Sequence, residues 1–573
     1  MAGDTTTGNA RSEIFEIAEQ FVNDRVALDP DEATALGIPG YDHLLTNYSP
    51  AAVEERNALA LAVLAQIKAA STGELSEPDR IAAEFITERI ETMTGLAKTG
   101  EHLRHLSVLA CPITGIRMIF TLMPTETDEQ WSNIAARMAQ VPTALASARE
   151  ALEAGLAAGL PGSQRQAVAV AKTAAAIAGQ GNGPAWFDQL AGSYEGTNEE
   201  LVTALGQGAT AATAAYGEIA IWLDEVYAPQ AQVSDGVGEE RYRNLARLWL
   251  GADIDPVEAY YWGWEELDRI VTRAHEVANQ IAPGKSLAEV SAILDADPKF
   301  QLHGSEALRE WLQAFTDEAM NAVSESCFDI PDEMRVCQAM IAPPGGAAAM
   351  YYTPPSEDFS RPGRTWYPTH GKEVFSTWPT VATWYHESVP GHHLQLAYAM
   401  LQKDRLSRVQ RVDFISAHAE GWALYAERLM GELGFYTEPA YELGMLAGQA
   451  LRAARVVVDI GLHLGLVLPD NELTRDVGGR NAAGEVWSRD LAVDFLVGHA
   501  MQERAFAESE VDRYLGLPAQ AISYKLGERA WLEARDRAKT KDGDEFDLRK
   551  WHMGALALGP LGLDTLVREI GEM

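Results

Sequence analysis

Six long segments of this chain place apolar residues at intervals of three and four, which is the repeat of one face of an α-helix. They are rich in Ala, Leu, Glu and Arg, residues that favour helices, and they span residues 12–28, 51–70, 76–98, 128–159, 163–180 and 195–228. Strict alternation of polar and apolar residues, the pattern of a half-buried strand, does not occur before about residue 340. The sequence therefore predicts a mainly α fold.

The segment from Ile341 to Trp378 differs from the rest because Gly, Pro and aromatic residues dominate it. It predicts at most a short strand or extended edge at residues 347–353, and helical patterning resumes at Val381. Such an edge could accept a substrate strand through main-chain hydrogen bonds, or it could form a plain structural hairpin. We therefore expect a small β element inside a large multi-helix fold.

The length of 573 residues allows roughly two to four domains. Residues 1–11 are polar and are predicted to be a disordered N-terminus. A loop from Pro229 to Gly238 is expected to separate an N-terminal helical lobe, residues 12–230, from a helical region at residues 239–573. The two parts could also form one continuous domain.

The net charge of −37 excludes nucleic acid and anionic membranes as expected partners, since phosphate groups are bound by Lys and Arg. No segment has the roughly 20 apolar residues that a membrane span needs. Three cysteines without metal-ligand spacing indicate reduced thiols and a cytoplasmic location. The oligomeric state is not predicted by any of these features.

The clearest chemical signal is the run His-Glu-Ser-Val-Pro-Gly-His-His, from His386 to His393. Imidazole and carboxylate groups are ligands of Zn²⁺, and a Glu directly after a ligand His is the usual general base of a zinc hydrolase. We therefore predict one Zn²⁺ per chain, with Glu387 as the base. The usual second His at position i+4 is absent, because Pro390 occupies that position.

Helix geometry shows why this spacing needs a distortion. On a straight helix His386 and His393 would be separated by about 10 Å along the axis, whereas two ligands of one zinc lie roughly 3 Å apart. Pro390 and Gly391 predict a bulge inside the helix. Looping out two residues brings His392 to the metal and looping out three brings His393; His392 needs the smaller distortion.

A third ligand is predicted on the apolar helix that follows, where Glu420 and Glu427 lie two turns apart on one face. A carboxylate on a core-facing stripe is costly unless it is paired or binds a metal. We assign Glu420 as the ligand, and Glu427 or His418 as residues that support the ligands.

A later helix from Met445 to Leu466 carries a polar stripe at i, i+3, i+7 and i+11 on an otherwise apolar sequence. Such a stripe must have partners or line a cavity. On a cleft wall, Asp459 would orient His463 and an Arg would bind the C-terminal carboxylate of a peptide substrate. A buried salt-bridge network between helices explains the stripe equally well, and its members are Arg452, Arg455, Asp459 and His463.

Four further residues are candidates for contact with the substrate or with the tetrahedral oxyanion. Tyr514 and Tyr524 are candidate phenolic donors, of which Tyr524 is preferred, although it could equally be a packed core residue. His370 and Lys372, in the loop before the histidine run, are expected to bind substrate.

Four motifs together resemble the bacterial domain of unknown function 885 over most of the chain. These are His-Glu-x-x-Pro-Gly-His-His-Leu-Gln, Glu-Gly-Trp-Ala-x-Tyr-Ala-Glu, and the segments at residues 368–375 and 518–527. The resemblance implies a zinc metallopeptidase related to the all-helical gluzincins, with a gluzincin-like fold. It implies His386, His392 or His393, and Glu420 as ligands and Glu387 as base. A later Tyr and His stabilise the oxyanion in those enzymes, which makes Tyr524 and His463 the catalytic candidates.

The expected function is therefore zinc-dependent hydrolysis of short peptides or chain ends by attack of an activated water. A zinc amidohydrolase or esterase acting on a small non-peptide amide or ester would need the same groups. A metal- or peptide-binding helical protein without catalysis is the third possibility, and Glu387 argues against it because binding alone needs no base.

Overall fold

The computed structural model describes residues 12–181, 183–342, 349–356 and 359–573. It is 67% helix and 5% strand, which confirms the mainly α prediction. The predicted disorder of residues 1–11, and residues 347 and 348 of the predicted strand, lie outside the described residues. None of the helices in the described parts is both long and apolar enough to cross a bilayer.

Most N-terminal helices begin directly after a Ser, Thr, Asp or Asn whose side chain accepts a backbone N–H of the first turn, as at Ser49, Ser76, Thr127 and Asn198. All the α-helices in the described residues up to 250, capped or not, are α1 Glu13–Leu28, α2 Pro30–Ala35, α3 Pro50–Ala70, α4 Glu77–Lys98, α5 Pro112–Ile119, α6 Asp128–Met138, α7 Val141–Ala157, α8 Gln164–Ile177, α9 Trp186–Gly192, α10 Glu199–Trp222 and α11 Glu239–Leu250.

The predicted single helix at residues 128–159 is wrong, because the structure divides it into α6 and α7. Pro142 lies in the first turn of α7, where its missing N–H leaves no helical bond unmade. Inside a continuous helix the same proline would clash with the carbonyl of residue 138. The helix predicted at residues 195–228 begins at Glu199 and continues beyond Trp222 as a π-helical turn, Leu223–Tyr227.

The C-terminal part of the chain contains the longest helices, and the pairs α12 with α19 and α18 with α22 pack along most of their lengths. The described helices after residue 250 are α12 Pro256–Ile281, α13 Leu287–Ala296, α14 Ser305–Ser326, α15 Thr380–Glu387, α16 His392–Leu401, α17 Arg408–Val412, α18 Ser416–Glu432, α19 Pro439–Leu464, α20 Arg489–His499, α21 Arg504–Gly516, α22 Ser523–Asp542, α23 Leu548–Ala557 and α24 Leu563–Gly571.

Two small sheets precede the histidine run. The strands are β1 Gln301–His303, β2 Cys337–Ile341, β3 Tyr351–Thr353, β4 Gly363–Tyr367 and β5 Val374–Ser376. The central strand β4 is parallel to β2 and antiparallel to β3, while β1 and β5 form a separate antiparallel pair. The sequence predicted no strand before residue 340; β1 and most of β2 were missed because such short strands show no clear alternation.

The buried apolar residues form several cores. One core lies within residues 106–231, a larger one is built almost entirely from residues 242–570, and a third joins α1, α3 and α4 to Val409 and Ile415. The N-terminal helices therefore pack directly against the segment that leads into α18. The division at residues 230–238 stays a prediction.

Helices α18 and α22 approach until their backbones touch. A Cβ atom on Gly421 would lie 2.3 Å from the carbonyl carbon of Gly527, and one on Gly527 would lie 2.0 Å from the carbonyl oxygen of Ala417. Only glycine fits at both positions, so the two helices are held at a fixed and short separation. This contact positions the residues that α18 and α22 carry beside it.

We expect Gly421→Ala to lower the free energy of unfolding by at least about 2 kcal/mol, because the added methyl group overlaps backbone atoms that cannot rotate away. The matched control is Gly206→Ala in α10, where an added Cβ would meet nothing within 4 Å. That change should stabilise the protein by roughly 0.5–1 kcal/mol. Urea unfolding of both variants measures the difference, and equal effects would contradict the close-packing argument.

Candidate metal centre

The histidine run does not form a bulged helix. Helix α15 ends at Glu387, α16 begins at His392, and the four residues between them form a turn in which the Val389–Pro390 peptide is cis. The predicted bulge within one continuous helix is therefore wrong. The turn is closed by a hydrogen bond from the Gly391 N–H to the Tyr385 carbonyl, 3.0 Å long.

Gly391 is required for this turn because it passes very close to the end of α15. A Cβ atom at this position would lie 1.9 Å from the carbonyl oxygen of His386. The indole N–H of Trp422 donates to the carbonyls of Pro390 and Gly391, at 3.0 and 3.1 Å. Trp422 belongs to α18, so the helix that carries Glu420 also holds the turn between the two histidines.

The turn brings together His386, His392 and Glu420, whose potential ligand atoms all lie within 4.8 Å of one another. The Nε2 atom of His386 is 3.1 Å from Oε2 of Glu420, and the Nε2 atom of His392 is 3.7 Å from the same oxygen. Both histidines are buried and Glu420 is partly buried. This set of residues is hereafter the triad.

Glu427 lies behind His386, two turns after Glu420 on the same face of α18. Its Oε1 atom is 2.8 Å from Nδ1 of His386 and 3.6 Å from the Arg452 guanidinium. The imidazole of His386 is therefore held between two carboxylates of α18, with its Nε2 side facing Glu420 and His392. Among the predicted supporting residues, Glu427 has the geometry of a carboxylate that orients a ligand histidine.

The pKa values at the triad reflect this crowding of carboxylates. Burial lowers the pKa of His386, but the hydrogen bonds with Glu420 and Glu427 outweigh it and raise the pKa to about 9. Burial raises the pKa of Glu420, but His386 and His392 outweigh it and hold that pKa well below its usual range. In the absence of a metal the site is therefore an ion pair of imidazolium and carboxylate.

Glu387 lies at the edge of the triad. Its Oε1 atom is 4.0 Å from Nε2 of His386, and its side chain is 13% exposed, so it is accessible from the solvent side. Burial raises the pKa of Glu387 against the opposing effect of His386 and His392. A carboxylate with a raised pKa beside a candidate ligand has the placement that a general base needs.

His393 points away from the triad. Its Nδ1 atom is 2.9 Å from the hydroxyl of Tyr352 on β3, and its Nε2 atom is 2.7 Å from the carbonyl of Met334. Burial lowers its pKa to about 4. Of the two histidines that the sequence offered as second ligand, the structure brings His392 to the triad, and His393 joins α16 to the small sheet.

His418 is a core residue with no contact to the triad among the described residues. Its Nδ1 atom accepts the Leu561 N–H at 3.3 Å and its ring packs on Trp531. Burial lowers its pKa to about 3, which keeps it neutral. The prediction that His418 supports the ligands is therefore wrong: its position in α18 turns it towards α22.

The residues of the polar stripe on α19 do not share one role: some form a buried salt-bridge network, and one lies at the triad. Arg455 is buried and binds Oε2 of Glu510 at 2.6 Å, in a network that also includes the Tyr514 hydroxyl. Arg455 and Glu510 stabilise each other's charge: burial opposes both, yet the pKa of Glu510 falls to about 2. This is a structural salt bridge, and the substrate-binding role predicted for Arg455 is wrong. Arg452, by contrast, faces Glu427 at the triad.

Asp459 and His463 do not bind each other. Asp459 accepts hydrogen bonds from the hydroxyl of Tyr242 at 2.5 Å and from the N–H of Ala519 at 3.0 Å. His463 bonds instead to the Tyr514 carbonyl at 3.0 Å, and burial lowers its pKa to about 4. The predicted orientation of His463 by Asp459 is wrong, because each side chain has its own hydrogen-bond partners.

Tyr524 is the candidate oxyanion donor that lies near the triad. Its ring centroid is 6.5 Å from that of His386, and the guanidinium of Arg455 covers its ring at 4.7 Å. Its hydroxyl has no hydrogen bond to another described residue, whereas the Tyr514 hydroxyl donates to Glu510 at 2.7 Å. The structure therefore brings Tyr524 to the site and keeps Tyr514 in the core.

His370 and Lys372 are exposed in the turn between β4 and β5. The Lys372 N–H closes this turn on the Thr369 carbonyl, at 2.9 Å. The residues that sequence reasoning missed are those that hold the histidines in place: Trp422, Tyr352 and Met334. Trp422 lies inside the Glu-Gly-Trp motif, so the sequence marks it as part of that motif. A single sequence does not show, however, that its indole reaches two carbonyls of a distant turn.

Comparison with known proteins identifies the family. Residues 30–570 match the family described as bacterial protein of unknown function (DUF885), and the chain belongs to this family. A search of curated proteins gives no match.

Two solved structures share the fold. A putative lipoprotein from Colwellia psychrerythraea has 21% sequence identity and a TM-score of 0.81, over 97% of each chain. A putative lipoprotein of unknown function from Shewanella oneidensis has 18% identity and a TM-score of 0.74, over 98% of this chain and 99% of its own. These similarities show that the chain shares its fold with both proteins over almost its whole length.

Asp459 gives a prediction about pH. Burial outweighs its two hydrogen bonds and raises its pKa from 3.8 to about 7. Between pH 4 and 7 the folded state therefore holds a proton that the unfolded state has released, so this residue lowers stability as pH rises. Asp459→Asn should lose that contribution.

The difference in urea unfolding midpoint between variant and wild type should grow in favour of Asp459→Asn from pH 4.5 to pH 7.5. A pH-independent difference would show that Asp459 ionises normally in the folded protein. Asp470→Asn, at an exposed position, is the control and should change no midpoint.

Proposed function

We propose that this protein is a zinc-dependent hydrolase, most simply a gluzincin-like metallopeptidase, with one Zn²⁺ bound by His386, His392 and Glu420. The observation that carries the proposal is the convergence of these three side chains within 4.8 Å, with Glu387 beside them. Two imidazoles and one carboxylate are the ligand set of one class of catalytic zinc site.

The residues fit the metal in both spacing and chemistry. Ligands about 2.1 Å from a tetrahedral zinc lie about 3.4 Å apart, and the two histidine nitrogens lie 3.1 and 3.7 Å from the Glu420 oxygen. Glu427 accepts a hydrogen bond from Nδ1–H of His386, which directs the Nε2 side of that ring to the metal position, where a bound Zn²⁺ would replace the Nε2 proton. Three protein ligands are also the number that catalytic sites use.

A bound Zn²⁺ would supply Lewis acidity, polarising a carbonyl and lowering the pKa of a water molecule. Glu387 then acts as the general base that takes the proton of the attacking water and later delivers it to the leaving amine. Tyr524 donates its hydroxyl hydrogen to the oxyanion that develops on the substrate. Arg452 lies 3.6 Å from the Glu427 carboxylate and offers its remaining N–H groups to a substrate carboxylate.

Short peptides or chain ends are the proposed substrates. Strand β3 is an outer strand of its sheet, and its Tyr352 contacts His393, the residue after His392, so an extended peptide paired with β3 would approach the start of α16. An amide or ester hydrolase acting on small non-peptide molecules would use the same groups and is the alternative reaction. A protein that only binds metal or peptide would not need Glu387.

We also propose a cytoplasmic location, with neither nucleic acid nor membrane as partner. Its support is that the three cysteines are buried and unpaired, as expected for reduced thiols, and that the net charge is −37. The two solved structures that share the fold are described as putative lipoproteins, which favours the opposing hypothesis of a lipid-anchored protein. Fractionation of the native organism decides between these locations.

Metal analysis tests the ligand set. We expect His386→Ala, His392→Ala and Glu420→Ala to retain less than about one tenth of the wild-type zinc after dialysis, since loss of one of three ligands removes most of the binding free energy. His393→Ala is the matched control from the same turn and should keep its zinc. Zinc retained by His392→Ala but lost from His393→Ala would reverse the assignment.

Turnover tests the base. Glu387→Gln should keep stoichiometric zinc and lower kcat by about 10²–10⁴ on any peptide found by a mass-spectrometric library digest, because the amide cannot take a proton from water. Asp413→Asn, a carboxylate outside the site, serves as the comparison. If wild type and Glu387→Gln are equally inert over a broad panel of peptides, amides and esters, the enzyme proposal fails.

Tyr524→Phe separates the two tyrosines. Removing this hydroxyl should lower kcat by about 10²-fold at unchanged KM, with no change in unfolding midpoint because the hydroxyl bonds to no described residue. Tyr514→Phe should leave kcat unchanged and lower the free energy of unfolding by about 1–3 kcal/mol, because it breaks the hydrogen bond to Glu510. Unchanged kcat in Tyr524→Phe would remove this residue from the mechanism.

A further inference from the structure

A large cavity lies away from the triad and is used by none of the steps above. It has a volume of about 810 Å³ and is enclosed by the N-terminal helices α1, α3, α4 and α7, by α11, and by the segments at residues 413–414 and 515–518. None of the triad residues lines it. A volume of this size is typical of sites that bind small molecules.

One wall of the cavity is an apolar stripe along α4. Ile86, Ile90, Met93 and Ala97 line it at spacings of four, three and four residues, which places them on one helix face over about 16 Å. Met93 and Phe414 also line the cavity, and each exposes 55% of its surface. Large apolar side chains that line a cavity and remain exposed offer a surface for an apolar ligand.

A second wall is cationic. Glu101 is contacted by two guanidinium groups: Arg104 at 2.6 Å, and Arg241 at 2.8 and 2.9 Å. One carboxylate therefore serves two arginines, so one positive charge is left over. The Nε atom of Arg104 is also buried without a hydrogen-bond partner among the described residues. In a chain with a net charge of −37 such a cationic spot is unusual.

The other carboxylates of the lining are engaged elsewhere. Glu32 and Asp413 bind Arg25 at 2.7 and 2.6 Å, and Asp29 accepts the Thr46 hydroxyl at 2.6 Å.

The groups nearest to Glu101 do not neutralise the extra charge either. Arg56 also lines the cavity and, among the described residues, donates to the carbonyls of Leu28 and Asn47. Asp235 is already paired with Arg165 through two hydrogen bonds of 2.9 Å. His102 and His105 add no charge at neutral pH, because burial lowers both pKa values.

We propose that this cavity is a second binding site, which takes a small molecule with an apolar body and one carboxylate. The carboxylate would bind between Arg104 and Arg241, and the apolar body would lie along the α4 stripe. Guanidinium groups bind carboxylates through paired hydrogen bonds, and the Arg104 Nε–H is available for one. Two ligands share this chemistry: an apolar peptide with a free C-terminus and a medium-chain fatty acid.

Calorimetric titration tests the proposal on the full chain. EDTA is present throughout, so that no carboxylate can bind a metal at the triad. The probes are N-acetyl-Ala-Leu-Phe as the free acid, the same peptide as its C-terminal amide, decanoate and decanol. We expect at least one carboxylate probe to bind at least tenfold more tightly than its neutral partner.

Variants assign the binding to the cavity. The double change Arg104→Gln and Arg241→Gln should abolish the preference for the carboxylate probe, while Arg149→Gln, an exposed arginine on the outer face of α7, should leave it intact. Met93→Trp places a large ring in the cavity without disturbing packed side chains, and should weaken binding of every probe at least tenfold. It keeps the proposal testable if the double variant fails to fold.

The outcomes are distinct. Preferential binding of the peptide acid identifies a peptide site, and preferential binding of decanoate identifies an acyl site; either supports the proposal. The proposal fails if no probe binds, if acids and neutral partners bind equally, if the preference survives in the double variant, or if Met93→Trp leaves the affinities unchanged. None of these results depends on zinc content or peptidase activity, so they leave the proposed function untouched.

Discussion

The arrangement of the candidate site depends on one contact, the imidazole of His386 held between two carboxylates of α18. Glu427 fixes its Nδ1 side at 2.8 Å and Glu420 approaches its Nε2 side at 3.1 Å. Three charged or polar groups so deeply placed are stable only because each has a partner. In a protein without metal this contact is an ion pair, and it keeps the ligand atoms close to the spacing that a metal requires.

The second requirement is met by glycines and by one indole. The turn needs glycine at position 391, because a Cβ atom there would lie 1.9 Å from the carbonyl oxygen of His386. The indole of Trp422 donates hydrogen bonds to the carbonyls of the same turn. On the other side of α18, Gly421 and Gly527 allow the backbone of α22 to touch it. The carboxylates of α18 are thus fixed relative to both the histidine turn and Tyr524 by contacts that no larger residue allows.

Sequence patterns predicted the helices and the candidate ligands well, but they predicted the local geometry around those ligands poorly. The three- and four-residue periodicity gave the helical class because it reports directly which face is buried. The motif around His386 and the position of Glu420 on an otherwise apolar helix pointed to the triad, because a carboxylate facing a core needs a partner or a metal. The turn after Glu387 and the partners of Asp459 and Arg455 were not predictable, since they depend on neighbours such as Tyr242, far away in the chain.

The cavity and the triad are joined by two short segments of chain. Helices α18 and α22 start side by side, where the hydroxyls of Ser416 and Ser523 lie 2.8 Å apart. The residues just before each helix line the cavity, and Glu420 and Tyr524 follow within the first turns. The segment before α22 therefore connects the lining of the cavity directly to Tyr524 along the chain. Asp459 accepts a hydrogen bond from the Ala519 N–H in that segment, so a buried carboxylate of α19 fixes the position of the chain between the cavity and Tyr524.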